Sequence, residues 1–290
     1  MSAMQNLLTP RRLADAIGVS ESSLRRWVDD GKIQMARTAG GHRRIALADA
    51  VRFIRSARMQ VVRPELLGLT QTPVGREGAH ALPDALYRAL HNGEDAVARG
   101  LVISAFLSGE SMAELFDGPM RTALARIGDL WRHDPRGILI EHRAVDICIG
   151  IINQLRTLVT TAETSGPVAL GGSPAGDPYM VPSLMACAVL AEAGFRAINF
   201  GPDTPVELLA GAAEEHNASV VWLAIGVEPA AGLKDRLGDL AARLVRRPAS
   251  LVLGGRGARE VIPPERPNVQ HVQSMRDLSL FGRGVAAACR

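Results

Sequence analysis

The chain has 290 residues, 47% of them apolar and 22% charged, a balance that excludes disorder throughout and leaves room for two or three compact domains. No stretch approaches the roughly 20 apolar residues of a membrane span, and the opening MSAMQNLLTPRR lacks the basic-then-apolar order of a signal peptide, so a cytoplasmic protein without a membrane partner is expected. The formal charge of +3 is uneven: residues 1–60 carry eleven Arg and Lys against five Asp and Glu, a balance of +6 that leaves −3 for the rest, the electrostatic footprint of a nucleic-acid-binding head.

Thr9 followed by Pro10 reads as an N-cap with proline at the first helical position, and Leu13, Ala14 and Ile17 repeat at helical spacing until Gly18. Ser20 caps a second short helix with Leu24, Trp27 and Val28 on its apolar side, ending near Gly31; Trp27 is expected in the core rather than on a base. Two short helices across a tight turn predict a helix-turn-helix, with Ser22, Ser23, Arg25 and Arg26 on the exposed face of the second helix. Apolar and polar residues then alternate on either side of Thr38-Ala39-Gly40-Gly41, as in a two-stranded wing. Arg37, Thr38, Gly40, Gly41, His42, Arg43 and Arg44 lie at its tip, where glycine permits close backbone approach and guanidinium forks suit phosphate. Helical spacing resumes from Asp49. The order helix, turn, helix, wing, helix, with TAGGHRR, closely resembles the winged DNA-binding domain of the MerR family of transcription regulators over residues 6–58. That resemblance implies a DNA-binding domain at 1–60 and double-stranded promoter DNA as partner.

Residues 61–82, rich in proline and glycine, read as a linker or loosely packed segment. Many MerR relatives continue here into one long dimerising helix; this chain does not, so self-association as a dimer or tetramer is expected to use another surface. From 83 to 165, apolar residues at helical spacing, punctuated by glycine and proline, predict a four- or five-helix bundle. Within it, Trp131 ends one helix, and Glu141 and His142 open the next after a Pro/Gly loop. An indole beside a carboxylate and an imidazole makes a ligand-facing cap, with core packing or capping as the plainer alternative; His142 is also the candidate metal ligand.

Residues 166–290 alternate strand-like runs (VALGG, FRAINFG, SVVWLAIG, SLVLGG, NVQHV) with helical ones, which predicts a parallel, doubly wound sheet of Rossmann or flavodoxin type. Ligands of such sheets sit at the carboxyl ends of the strands, where the loop LGGSPAGDPYMVPSLM, Gly201-Pro202-Asp203-Thr204-Pro205 and Gly254-Gly255 fall. Cys148, Cys187 and Cys289 are odd in number and far apart, and read as ordinary thiols.

Trp131 followed after nine residues by Glu141-His142, GPDTP after the second strand, and the double glycine together resemble the cobalamin-binding module of cobalamin-dependent methyltransferases and of the CarH/LitR light-sensing repressors. The resemblance implies that the bundle caps adenosylcobalamin from above, with the tryptophan and the Glu-His pair over the adenosyl group, and that a histidine in the loop after the first strand ligates cobalt from below. Here that loop reads Gly176-Asp177-Pro178-Tyr179-Met180, with Tyr179 at the histidine position; Leu223-Ala224-Ile225-Gly226 replace the family's Ser/Thr positions, and Trp222 stands just before. A phenol with a pKa of about 10 is a poorer cobalt ligand at neutral pH than imidazole.

The expectation is therefore a non-enzymatic DNA-binding regulator, a repressor controlled by a small molecule and open to control by light. Its ligand contacts would be Trp131, Glu141, His142, Asp177, Tyr179, Met180, Thr204, Ala224, Gly254 and Gly255. A haem, a bilin or another tetrapyrrole is preferred; cobalamin held without a lower histidine and a self-filled cleft are the alternatives. The rival from another class is a corrinoid-carrying enzyme subunit.

Overall fold

The computed structural model describes residues 7–37, 41–69, 81–132, 134–160, 166–246, 249–263 and 266–289. Two compact units result, Met1–Glu163 and Thr164–Arg290.

The first unit opens with β1 (Leu7–Leu8), α1 (Pro10–Ile17), α2 (Glu21–Asp29), β2 (Ala36–Arg37), β3 (Arg43–Ala46) and α3 (Leu47–Ser56). The caps fall where the sequence placed them: the Thr9 hydroxyl accepts from Arg12 N at 3.2 Å, and the Ser20 hydroxyl from Ser23 N at 3.1 Å. Gly18, at φ +68°, makes the turn between the helices in the left-handed region that glycine enters without a Cβ clash. Leu13, Leu24, Ile45 and Ile54 are fully buried, and the Trp27 ring packs on Phe53 with centroids 5.1 Å apart, a core role as expected. The wing is the antiparallel pair β2–β3; β1, too short to carry a period, adds a third strand through Leu8↔Ile45. Helix α3 starts at Leu47, two residues earlier than its spacing suggested.

The segment expected to be a linker is packed over residues 61–69. The Ala16 carbonyl accepts from Val62 N and Arg63 N, the Arg12 guanidinium donates to Leu66 O at 2.6 Å, and Leu67 and Leu69 are buried by a 3₁₀ turn at Pro64–Leu67. Its proline and glycine shape that turn instead of loosening the chain; residues 70–80 lie outside the described residues.

Helices α4 (Leu82–Asn92), α5 (Asp95–Leu107), α6 (Met112–Leu115), α7 (Arg121–Gly128) and α8 (Gly137–Val159) form the bundle. A capping box of Ser111 and Glu114 starts α6, and a π turn at Phe116–Met120 around Pro119, which has no N–H to donate, runs it into α7. Helix α3 docks on this bundle: Arg55 Nη2 donates to Glu110 O at 2.9 Å, and its guanidinium carbon sits 3.9 Å over the Phe106 ring.

In the second unit, β4 (Val168–Pro174), α9 (Met180–Glu192), β5 (Arg196–Thr204), α10 (Leu209–Glu215), β6 (Ala218–Ala224), α11 (Leu233–Val245), β7 (Ser250–Gly254), β8 (Val269–His271) and α12 (Met275–Ala288) alternate. All strand pairs are parallel, in the order β5-β4-β6-β7-β8. Leu170, Val221, Leu223, Leu251 and Leu253 share one core with α10 and α11, while α9 and α12 pack together on the opposite face. Strand β5 absorbs Gly201-Pro202-Asp203-Thr204, and a 3₁₀ turn at Ala258–Val261 follows β7. Because β4 pairs with both β5 and β6, the chain winds in opposite directions from it, and the crevice of this sheet class opens between the carboxyl ends of β4 and β6.

Candidate DNA-binding face and ligand crevice

On the winged module, Ser22, Arg25 and Arg26 of α2 are exposed. Ser23 is half-buried, its hydroxyl 2.9 Å from the Ser20 hydroxyl, so it helps cap the helix; Arg25 lies 3.7 Å from Glu21 in an exposed pair of small energetic weight. On the wing, Arg37, Gly41, His42 and Arg43 are exposed, while Arg44 folds back so that Nη1 donates to Arg43 O at 3.0 Å. Thr38 and Gly40 lie outside the described residues. Arg37 and Arg43 are direct cross-strand partners, so two guanidinium groups share one face of the ribbon. Like charges opposite each other destabilise a strand pair by a few tenths to about 1 kcal/mol, and an anion between them reverses the sign.

In the bundle, Trp131 stands on a 3₁₀ turn (Leu130–Arg132), not at a helix end, and Glu141 and His142 fall in the second turn of α8, not at its opening. The turn and helix meet tightly: a Cβ on Gly137 would lie 2.6 Å from Trp131 N. Trp131 is 52% exposed, and Ile138 and Leu139, which follow Gly137 in the first turn of α8, are exposed too; Glu141 is half-buried and His142 exposed. No group of three His, Cys, Asp or Glu side chains able to hold a metal occurs among the described residues.

In the second unit the loop after β4 is held from within. Asp177 is 1% exposed; its Oδ1 accepts from Tyr179 N at 3.0 Å and its Oδ2 from Gly226 N at 2.5 Å. Ser173 donates to Tyr179 O, and Asp203, in the left-handed region at φ +54°, accepts from Gly176 N at 2.7 Å. Asp177 thus ties the loop to the end of β6, and both its oxygens are committed. Tyr179 and Met180 remain exposed at the start of α9. Thr204 is buried, its hydroxyl donating to Gly201 O at 3.0 Å, and Ala224 is a buried strand residue.

Gly254 ends β7 and Gly255 follows it. Gly255 sits at φ +99°, where a Cβ would lie 2.3 Å from Ile225 O, and Ile225 N donates to Gly254 O, so the loops after β6 and β7 interlock. Next to them Arg256 Nη2 donates to Gly226 O at 3.2 Å. That Arg256 and Asp177 meet at Gly226 could not be read from the sequence, since single residues in glycine-rich loops carry no period.

Trp222 is 2% exposed, and its ring lies against the backbone of Gly171, so close that a Cβ there would come within 2.7 Å of the indole. Lying between Val221 and Leu223 of the opposite core, it points to the α9 side of the sheet, and its indole N–H has no acceptor among the described residues. None of the three cysteines is in a disulfide; burial pushes the Cys148 thiol up to about 12.

Residues 7–58 match the family model of a helix-turn-helix domain. No curated protein matches the chain. Among solved structures, the monomethylamine corrinoid protein of Methanosarcina barkeri shares the fold: 16% identity, TM-score 0.53, covering 72% of this chain and all of that one. The methanol:cobalamin methyltransferase complex of the same organism (13% identity, 75% of this chain and 86% of that one, TM-score 0.39) and a cobalamin-binding protein of Desulfitobacterium hafniense (16%, 69% and 97%, TM-score 0.35) are more distant in structure. A helix-turn-helix head on a corrinoid-protein-like fold is the architecture that the MerR and CarH/LitR resemblances implied. No helix of the described residues is long and apolar enough to cross a membrane.

Proposed function

We propose that this chain is a cytoplasmic, promoter-binding transcription regulator of MerR type, not an enzyme, that acts as a repressor and responds to a small molecule in the crevice between β4 and β6. The observation that carries the DNA half is the exposed cross-strand pair Arg37 and Arg43, on the wing of a module whose second helix exposes Arg25 and Arg26: a cationic ribbon with a recognition helix suits phosphate. The ligand half rests on the doubly wound sheet and on the exposed Tyr179 and Met180 at its switch point.

The residues at that switch point do not fit cobalamin ligated from the loop. Position 179 offers a phenol, Asp177 spends both oxygens on backbone N–H groups, and the Trp222 indole fills the layer against Gly171. They suit a flat tetrapyrrole laid on an aromatic face, a haem or a bilin; phenolate is also an established haem-iron ligand. Trp131, Glu141 and His142 lie on the bundle, and Trp131→Ala is expected to have little effect on folding, because half of that residue is exposed. A second reading, cobalamin held without a lower protein ligand, draws on the fold shared with the monomethylamine corrinoid protein.

The test is an absorption spectrum of the full chain, in darkness and after illumination, alone and with haemin, biliverdin or cobalamin added separately, together with a gel shift on promoter DNA. A shifted haem or bilin band that changes DNA affinity supports the proposal. Bands that move only for cobalamin select the second reading. Unchanged spectra throughout mean a self-filled crevice, and methyl transfer from an added corrinoid would select the enzyme subunit.

A further inference from the structure

Gly226 is the point where three side chains of the crevice meet. Its N–H is held by Asp177, its carbonyl takes a bond from Arg256, and a Cβ on it would stand 3.4 Å from Tyr179 Cδ2. Tyr179 and Arg256 therefore flank one residue at the mouth of the switch point, both exposed. The loops that carry them are fixed before any ligand arrives. Ile225 N donates to Gly254 O at 2.8 Å and Gly257 N to Ile225 O at 3.1 Å, and Gly257 lies so close to the next loop that a Cβ would come 2.4 Å from Val227 O.

A guanidinium has five N–H donors, and the Gly226 carbonyl engages only Nη2 of Arg256. Among the described residues Arg256 has no ion pair, and each carboxylate oxygen of Asp177, the acid on the same glycine, already accepts a backbone N–H. We infer that Tyr179 and Arg256 form a carboxylate-reading rim: the phenol ring takes the face of a flat ligand and the guanidinium fork pairs with a carboxylate on its edge. This deepens the proposed function and rests on it. The rim explains a choice among tetrapyrroles, because haem and bilins carry two propionates, whereas a corrin edge carries amides that gain far less from a cation.

The test uses the full chain and four probes, protoporphyrin IX and biliverdin, each against its dimethyl ester, with affinity read from absorption and fluorescence. The free acids are expected to bind about tenfold tighter than the esters. Arg256→Gln should erase that difference, and Tyr179→Phe should keep it. Tyr179→Ala should weaken acid and ester alike. Equal binding of acid and ester by the unaltered protein overturns the carboxylate rim while leaving a tetrapyrrole crevice standing; binding of none of the four overturns both. Preference for one acid over the other tells a cyclic from a linear ligand within the same chemistry.

Discussion

Arg43 shows how a single residue divides its effects between folding and binding. Facing Arg37 across the wing, it costs the free protein a little stability and contributes to DNA affinity through phosphate. Arg43→Ala is expected to weaken binding to every sequence and to lower the slope of log affinity against log salt by about 1, read from gel shifts across a salt series. Arg43→Glu should raise the melting temperature slightly, by pairing with Arg37, and abolish binding; a fall in both would mean that the two side chains do not share a face. Trp222 carries the opposite lesson. Trp222→Ala should cost about 3–5 kcal/mol in urea unfolding, as for other large buried aromatics. Trp222→Phe should cost far less, since the indole N–H it removes has no acceptor. At this scale the caps Thr9 and Ser20 were legible, because an N-cap is a local hydrogen bond three residues long. The commitment of Asp177 to Gly226, 49 residues away, was not.

Among elements, helix α3 and the turn before α8 bear the most. Arg55 on α3 joins the winged module to the bundle through the Glu110 carbonyl and the Phe106 ring. Arg55→Ala should destabilise the chain by about 1–3 kcal/mol and make residues 61–69 more open to protease, whereas a purely surface arginine would change neither. Gly137→Ala forces a methyl into the backbone at Trp131. It should lower the melting temperature and shift tryptophan fluorescence, and an unchanged emission spectrum would show that the turn yields without moving the indole. Helical spacing revealed the bundle because each helix shows one apolar stripe. It misplaced Glu141 and His142 by a turn, because the loop residues Pro135 and Arg136 give no periodic signal and Gly137 already belongs to α8. The packed segment 61–69 was misread for a related reason: proline and glycine mark a turn equally well whether or not leucines bury it.

For the whole molecule, the cysteine thiols offer a direct probe of both units. Cys289 is exposed, Cys148 and Cys187 are buried, and Cys148, with its thiol pushed up to about 12, stays protonated at neutral pH. One thiol should react quickly with an alkylating reagent in the native protein and all three in urea, counted by mass spectrometry; fast labelling of Cys148 would mean that the bundle opens. The sequence by itself determined the order of modules, the winged head with its cationic face, the alternation that makes a parallel sheet, and the departure of Tyr179 from histidine, because caps, periods and residue identities are local properties of the chain. Only the tertiary structure decided that Tyr179, Gly226 and Arg256 meet, that Asp177 is spent inside the fold, and that Trp222 fills the layer against Gly171. Those contacts join residues far apart in the chain, brought together by the winding of strands around β4, and no pattern in one dimension encodes them.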